Sequence, residues 1–490
     1  MGVPGLWTDV EALCKTVHIR SFHGKTIGVD AANWMHKAGV DCAMDLANGS
    51  SDSLVRNIVK RAAKLVKAGW TLVFVFDGLD PPMKAAENKD RLVTRMRTRE
   101  LGVNLTLACA SLPQNSNERR SAERVAKDIL EKDPVVGEYA ALTSAGLRAA
   151  GFQTRVAPME AEAQLAYMCR TGRIFAVLSE DTDTVMYYAP RVIRRVDGLQ
   201  CQFYDRNGDW GQCGPISKLQ APELFVAYCV LSGCDYLEWA VGVKKGAELA
   251  QWLAAVAQSG NAEDATVEVL LERAIREKSL TLPPVRHDAT VRMVFKAAFA
   301  ILHHLVFDDS APNEVTVRSV FPIPAQRLER HAALLTEACG CAAAIAAQGQ
   351  AQCHSMRDMY YSGASILAFP PPHPEPFLVE FGDGKTMRVP ASCTTSTPPQ
   401  YIPLLRRSFE LLHFDAPQKA PDMNIAGLSW WCNLCKFGQG SRDKHLQLHC
   451  DSKMHVGRVH LDHIRRCQQS GSVEGQADVS ASARCIVLVD

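Results

Sequence analysis

KTIGVDAANWMHKAG, residues 25–39, contains the change of period on which the fold depends. KTIGVD is a short apolar, β-branched run ending at Asp30, and AANWMHKAG continues it as a helix. A run of this kind, bounded by polar residues, reads as a buried strand of a parallel sheet. The same reading applies further along the chain. Asp77 closes TLVFVFD, and Glu180, Asp181 and Asp183 follow the apolar residues of FAVLSEDTD. In an open α/β sheet the carboxyl ends of parallel strands line one crevice, so acids from distant segments can meet there.

Glu160 and Glu162 in PMEAEAQLAYM and Asp235 in LSGCDYL extend the set to seven carboxylates. Residues two apart diverge on a regular helix, so the pattern predicts that Glu160 and Glu162 lie at a helix start, set by Pro158. Asp181 and Asp183, two apart in extended chain, can face one side. Like charges at close range push carboxylate pKa values up until some neutralise, and divalent cations relieve that repulsion. Oxygen ligands favour Mg²⁺ or Mn²⁺, and paired metals about 4 Å apart suit in-line cleavage of a phosphodiester. Taken singly, an Asp after a strand is more often a helix N-cap than a ligand.

The chain has 490 residues, 47% hydrophobic and 22% charged, with a formal net charge of +1, so global charge gives no attraction to nucleic acid and local basic patches must supply it. Its 17 cysteines form no regular framework, and reduced thiols are expected. MGVPGLWTDVEALCK has neither the basic start nor the apolar core of a signal peptide, and Leu6 stands where myristoylation requires Ser or Thr. KAAFAILHHLVF is too short and interrupted to span a bilayer, so no membrane association is expected.

Strands and helices alternate to about Asp308. Between TLVFVFD and the next strand lie two charged helices, GLDPPMKAAENKDRLVTRMRTRE and RRSAERVAKDILEKD, an insertion expected to overhang the crevice. Lys84 and Arg91 on the first are seven residues apart, nearly two turns, and share a face, either against a phosphate or against solvent. Residues 311–424, with ACGCAAAIAAQGQAQ and FPPPHPEP, read as a poorly determined connecting region, and 468–490 as a disordered tail.

MGVPGLW, VDAANWMHKAG, FVFDG, APMEAEAQLAYM, SEDTD and LSGCDYL, in this order and spacing, resemble the 5′ nuclease superfamily of flap endonucleases. WMHKAG, SGCDYL and HLVFD are most similar to its mismatch-repair 5′ exonuclease branch. The resemblance covers residues 1–310. It implies an α/β, PIN-like parallel-sheet core with a helical arch at about 78–135 and a helix-two-turn-helix at about 225–255. It further implies that Asp30, Asp77, Glu160 and Glu162 hold one Mg²⁺ and Asp181, Asp183 and Asp235 the other, with room for sharing between them. Lys84 and Arg91 would contact the scissile phosphate, and His36 would stack on the terminal base; simple packing beside Trp34 is the other reading of His36. In the helix-two-turn-helix, Gly242, Lys244 and Lys245 would meet the duplex backbone beside a K⁺ site; Ala240 stands where the family usually has a first glycine.

A second constellation, WWCNLCKFGQGSRDKHLQLHCDSKMH, offers Cys432, Cys435, His449 and His455 as four ligands for one structural Zn²⁺, with His445, Cys450 and His460 as competing ligands. DSKMH resembles U1/matrin-type fingers, which implies a small C-terminal zinc finger at 425–467 that binds DNA or RNA. The expected protein is a nuclear, two-metal phosphodiester hydrolase acting on DNA with 5′ ends, nicks or flaps. An RNA-directed nuclease and a non-catalytic nucleic-acid adaptor are the alternatives; loss of a strand-end carboxylate would favour the adaptor, and none is missing.

Overall fold

A computed structural model describes residues 2–47, 52–109, 112–132, 137–237, 246–259, 266–277, 287–310, 315–339 and 360–361, together with short strands at 377–380, 386–389, 431–432 and 437–438. These divide into two compact units, the first built from residues 1–35, 58–89 and 140–371, the second from 36–57, 90–139 and 372–490.

The first unit contains a seven-stranded sheet. Its strands are β1 (Cys14–His18), β2 (Thr26–Asp30), β3 (Thr71–Phe76), β4 (Gln153–Val156), β5 (Ala176–Leu178), β6 (Arg191–Asp197) and β7 (Gln200–Asp205). Across the sheet the order is β1-β7-β6-β5-β2-β3-β4. β6, β5, β2, β3 and β4 run parallel, and β7 and β1 close one side antiparallel. The central strands are buried on both faces, as a covered parallel sheet requires: Ile27, Val29, Phe74, Val75, Ala176 and Val177 are all sealed from solvent. Register then fixes where the acids go. Asp30 pairs with Val75 at the end of β2, and Val29 pairs with Leu178 at the end of β5. Asp30, Asp77 and the Ser179–Asp183 segment therefore leave the sheet along one edge.

Two glycines permit the close approaches that set this edge. At Gly28, inside β2, a Cβ would fall 2.4 Å from Ile174 and 2.5 Å from Leu165, so only glycine lets the helix Ala161–Arg170 settle on the sheet. At Gly78 a Cβ would lie 2.1 Å from the Ala157 carbonyl. The bare backbone instead bonds there, the Gly78 and Leu79 N–H groups donating to Met159 and Pro158 carbonyls at 2.6 and 3.0 Å. That clamp ties the end of β3 to the turn after β4.

A helical layer completes the core. Pro222–Ser232 and His287–Leu302 are buried along much of their length. The hairpin β8 (Leu305–Asp308) and β9 (Thr316–Ser319) is joined to the layer by Gln164, whose side-chain amide donates to the Phe307 carbonyl at 2.8 Å and accepts from its N–H at 2.7 Å. The region assigned to a connecting segment contributes β9 and the helix Ala325–Cys339 to this same unit. Arg327, buried on that helix, donates to Glu268 at 2.5 and 2.7 Å, to Glu223 at 2.9 Å, and reaches His303 Nε2 at 2.9 Å.

In the second unit, the later turns of the helix Ala85–Cys109 pack against Asn117–Lys132 through Leu101, Leu105, Ala122, Ala126 and Ile129. A Cβ at Gly102 would press on Leu130 at 2.6 Å, so glycine allows the two helices their close contact. Gly242, Lys244 and Lys245 lie outside the described residues, as do Cys435, His449, His455 and the tail. Cys432 ends a two-residue strand, Trp431–Cys432, paired antiparallel with Phe437–Gly438. No helix among the described residues is long and apolar enough to cross a membrane.

Candidate active site

The first two acids also act as helix caps. Asp30 Oδ1 accepts the N–H of Asn33 at 3.0 Å, capping the helix Ala31–Val40 that follows β2. Asp77 Oδ1 accepts the N–H of Ala161 at 2.8 Å, capping a helix 84 residues away in sequence. Glu160 occupies the N-cap position of that helix, Ala161–Arg170, and Glu162 its first turn. Ser179 links the next pair: its hydroxyl donates to Asp30 Oδ2 at 2.7 Å and accepts from the Asp181 N–H at 3.1 Å. Asp181 Oδ1 accepts in turn from the Asp183 N–H at 3.1 Å. Gly2, with φ of 67°, crosses directly over these loops: a Cβ there would lie 2.2 Å from Thr182 Oγ1 and 2.5 Å from Asp183 Oδ1.

Lys84 closes the 3₁₀ turn Pro82–Lys84 and is only 5% exposed. Its Nζ stands 2.5 Å from Glu160 Oε1, 3.4 Å from Asp183 Oδ2 and 3.9 Å from Asp235 Oδ2. It lies 4.4 Å above the Tyr236 ring. Carboxylates from three separate segments thus gather on one ammonium.

The charge balance is visible in the acidities. Burial pushes Asp77 up to about 7, reinforced by Asp30 and Glu160 and opposed by the Ala161 N–H and Lys84. Burial likewise raises Asp183 to about 8, with Asp181, Glu160 and Asp235 adding to it against Lys84. Glu162 is driven well above the carboxylate range by burial and by Asp30, Asp77, Glu160 and Asp181. Glu160 is the exception. Burial works against its charge too, but Lys84, His304 and the Tyr187 hydroxyl bring it down to about 2. Burial would discharge Lys84, yet Glu160 above all, with Asp183, holds its pKa well above the ordinary lysine value.

No three His, Cys, Asp or Glu side chains among the described residues stand together closely enough to share one metal ion. The donor chemistry nonetheless fits a hard divalent cation. Asp183 Oδ1 is buried without a hydrogen-bond partner among the described residues, and Asp77, Glu162 and Asp183 resist ionisation chiefly through burial and the charge of neighbouring carboxylates. A cation of higher charge than one ammonium answers both conditions.

Two groups named from sequence belong to the other unit. Arg91, half-buried on Ala85–Cys109, and His36, on Ala31–Val40, fall in the second unit, while all seven acids and Lys84 fall in the first. The structure adds residues that sequence reasoning did not select. Tyr187 donates to Glu160 Oε2 at 2.5 Å, Tyr236 donates to the same oxygen, and the Glu160 N–H donates to His304 Nε2 at 3.3 Å. Tyr236 and His304 fall within the quoted motifs LSGCDYL and HHLVF, but nothing in a linear reading aims them at Glu160.

Residues 1–98 match the XPG N-terminal domain and residues 151–235 the XPG I-region. The chain is similar to exodeoxyribonuclease 1 of Schizosaccharomyces pombe, 32% identical over 250 residues, covering 50% of this chain and 41% of that protein. It is similar to exonuclease 1 of Xenopus laevis, 28% identical over 312 residues, covering 63% of this chain and 39% of that protein. It is also similar to flap endonuclease 1-B of Physcomitrium patens, 29% identical over 276 residues, covering 54% of this chain and 74% of that protein. The chain thus spans about two fifths of the length of the first two relatives. The matched segments contain β2, β3, β5 and all seven acids, and together with these relatives they support placing the chain in the 5′ nuclease superfamily.

Proposed function

We propose that this protein is a metal-dependent, structure-specific 5′ nuclease that hydrolyses DNA phosphodiester bonds in repair or replication. It would act as a 5′ to 3′ exonuclease and at 5′ flaps. The observation that carries this reading is the gathering of Glu160, Asp183 and Asp235 on Lys84 at the carboxyl edge of the sheet. Relatives named exonuclease and flap endonuclease support the choice of substrate.

Asp30, Asp77, Glu160, Glu162, Asp181, Asp183 and Asp235 would hold two Mg²⁺ or Mn²⁺ ions. Such ions, when bound, lower the pKa of water and take up charge on phosphate oxygens. The protein's own residues do the rest. Asp30 and Asp77 are immobilised by the N–H groups they cap, and Ser179 fixes Asp30 relative to the Asp181 backbone. Lys84 brings a positive charge that stays protonated at any working pH to the point where phosphate charge develops, which favours the transition state over the ground state. Arg91 would supply a second contact to the same phosphate and His36 a stacking surface for the terminal base. Gly242, Lys244 and Lys245 would bind the duplex behind the cut, beside K⁺.

Cys432, Cys435, His449 and His455 would fold a zinc finger that assists binding to DNA or RNA, and the protein would work in the nucleus. Native mass spectrometry of residues 425–490 should show one Zn²⁺, lost when Cys432 and Cys435 are changed to Ser. The deciding test of the enzyme is incubation with 5′- and 3′-end-labelled nicked and flapped duplexes, with Mg²⁺ and then with EDTA. Shortening from the 5′ end that stops in EDTA is the expected outcome. Degradation from 3′ ends, or none on any DNA, would overturn the proposal.

A further inference from the structure

Glu160 is surrounded on every side that can donate to it. Its Oε1 accepts from Lys84 at 2.5 Å, and its Oε2 accepts from both Tyr187 and Tyr236, whose hydroxyls also touch each other. Its backbone N–H donates to His304 Nε2 at 3.3 Å. Since that nitrogen accepts, the proton of the neutral ring lies on Nδ1. There it faces the Ala300 carbonyl at 3.2 Å and the two tyrosine oxygens at 3.4 and 3.5 Å. That proton goes to the Ala300 carbonyl, its nearest acceptor, and both tyrosine hydroxyls are left to donate to Glu160. Tyr236 has a second contact, its ring face lying under the Lys84 ammonium. All three rings are buried: Tyr187 is fully covered, His304 2% exposed and Tyr236 3% exposed.

We propose that Tyr187, Tyr236 and His304 are positioning residues that fix the Glu160 carboxylate, and through it and the Tyr236 ring the Lys84 ammonium, in the acid cluster. This rests on the nuclease reading. The physical case is that a buried carboxylate with a free rotor would turn toward whichever cation is nearest. Two hydroxyl donors on one oxygen leave Glu160 one orientation, with Oε1 presented to Lys84. A carboxylate held this way keeps its charge in the interior without relying on a divalent ion. It thereby presents the cluster with a preformed anion and a preformed cation side by side.

The test is a double-mutant cycle on the full-length protein. Tyr187→Phe and Tyr236→Phe should each slow single-turnover cleavage of a nicked duplex about tenfold, the loss expected for one hydrogen bond to a charged group. The affinity for that DNA in EDTA and the thermal midpoint should stay near those of the unaltered protein. In a Glu160→Gln background the same changes should have little further effect, because the residue through which they act is already altered. Mn²⁺ binding without DNA, followed by electron paramagnetic resonance, should weaken several-fold in both Phe variants and show the same loss of effect beside Glu160→Gln. His304→Leu should behave like the Phe variants, and His304→Gln, which keeps an acceptor for the Glu160 N–H, should recover most of the loss. Unaltered cleavage and Mn²⁺ binding in both Phe variants, or equal effects with and without Glu160→Gln, would overturn the proposal. An unaltered protein that cleaves no DNA would instead remove the nuclease reading, and the Mn²⁺ arm would still decide the positioning role.

Discussion

Lys84 is the residue on which the site balances. It stands within ion-pairing distance of Glu160, Asp183 and Asp235, and it is buried with them. Replacing it by Met should lower cleavage by about a hundredfold or more, the usual loss when a charge aimed at a transition state is removed. DNA affinity should change far less. A variant that loses affinity but keeps its single-turnover rate would show that Lys84 only attracts substrate. Asp181→Ala should likewise abolish most turnover while leaving DNA binding intact or slightly tighter, since a negative charge leaves a phosphate-binding cleft. Wild-type rates in that variant would exclude Asp181 from the chemistry. The acids are legible because strand ends announce them. Their partners are not: Tyr187, Tyr236 and His304 lie 27, 76 and 144 residues from Glu160, and only the folded chain brings them to one carboxylate.

Among the elements, the helix Ala325–Cys339 shows where sequence patterns lose their reach. It stands immediately before an Ala- and Gln-rich stretch whose composition masks a boundary, and beside Leu335, Ala338 and Cys339 its anchor is a buried arginine. Arg327 joins it to Glu223 on Pro222–Ser232, Glu268 on Val267–Glu277 and His303 after His287–Leu302. Removing one partner of such a buried network leaves charges without counterparts, so Arg327→Met should cost about 3–5 kcal/mol in denaturant unfolding. Truncation after residue 310 should destabilise the nuclease core for the same reason, and truncation after residue 371 should not. Equal melting temperatures for the two truncations would show that the helix is dispensable. The central strands, by contrast, are read correctly from KTIGVD, TLVFVFD and FAVL because burial on both faces leaves a continuous apolar run with an abrupt polar end.

For the molecule as a whole, the cluster makes stability depend on pH in a predictable direction. Asp77 and Asp183 rise from the ordinary 3.8 to about 7 and about 8. Below the unfolded value both states are protonated. As pH climbs toward 7 and 8 the unfolded chain has already released these protons while the native state retains them, so stability falls until the folded groups also ionise. In EDTA the thermal midpoint should therefore drop between about pH 5 and pH 8, and Mg²⁺ should restore more of it at pH 8 than at pH 6. Calorimetry across that range checks it; a Mg²⁺ increment that shrinks as pH rises would contradict the assigned acidities. Deleting residues 425–490 should leave both this behaviour and cleavage of short flaps nearly unchanged, since none of the residues assigned to either lies in that segment.

The bond from the Glu160 N–H to His304 also has a consequence in time. A polypeptide leaving the ribosome exposes Asp30 first and Asp235 much later, and the ring that orients Glu160 emerges only after all seven acids are already outside. Until that last histidine, between the helix His287–Leu302 and β8, has docked, the nascent chain carries the complete set of carboxylates without the ring that accepts the Glu160 N–H. On the proposed nuclease reading, a fragment that ends before His304 would thus carry every acid and yet cut more slowly than the finished core.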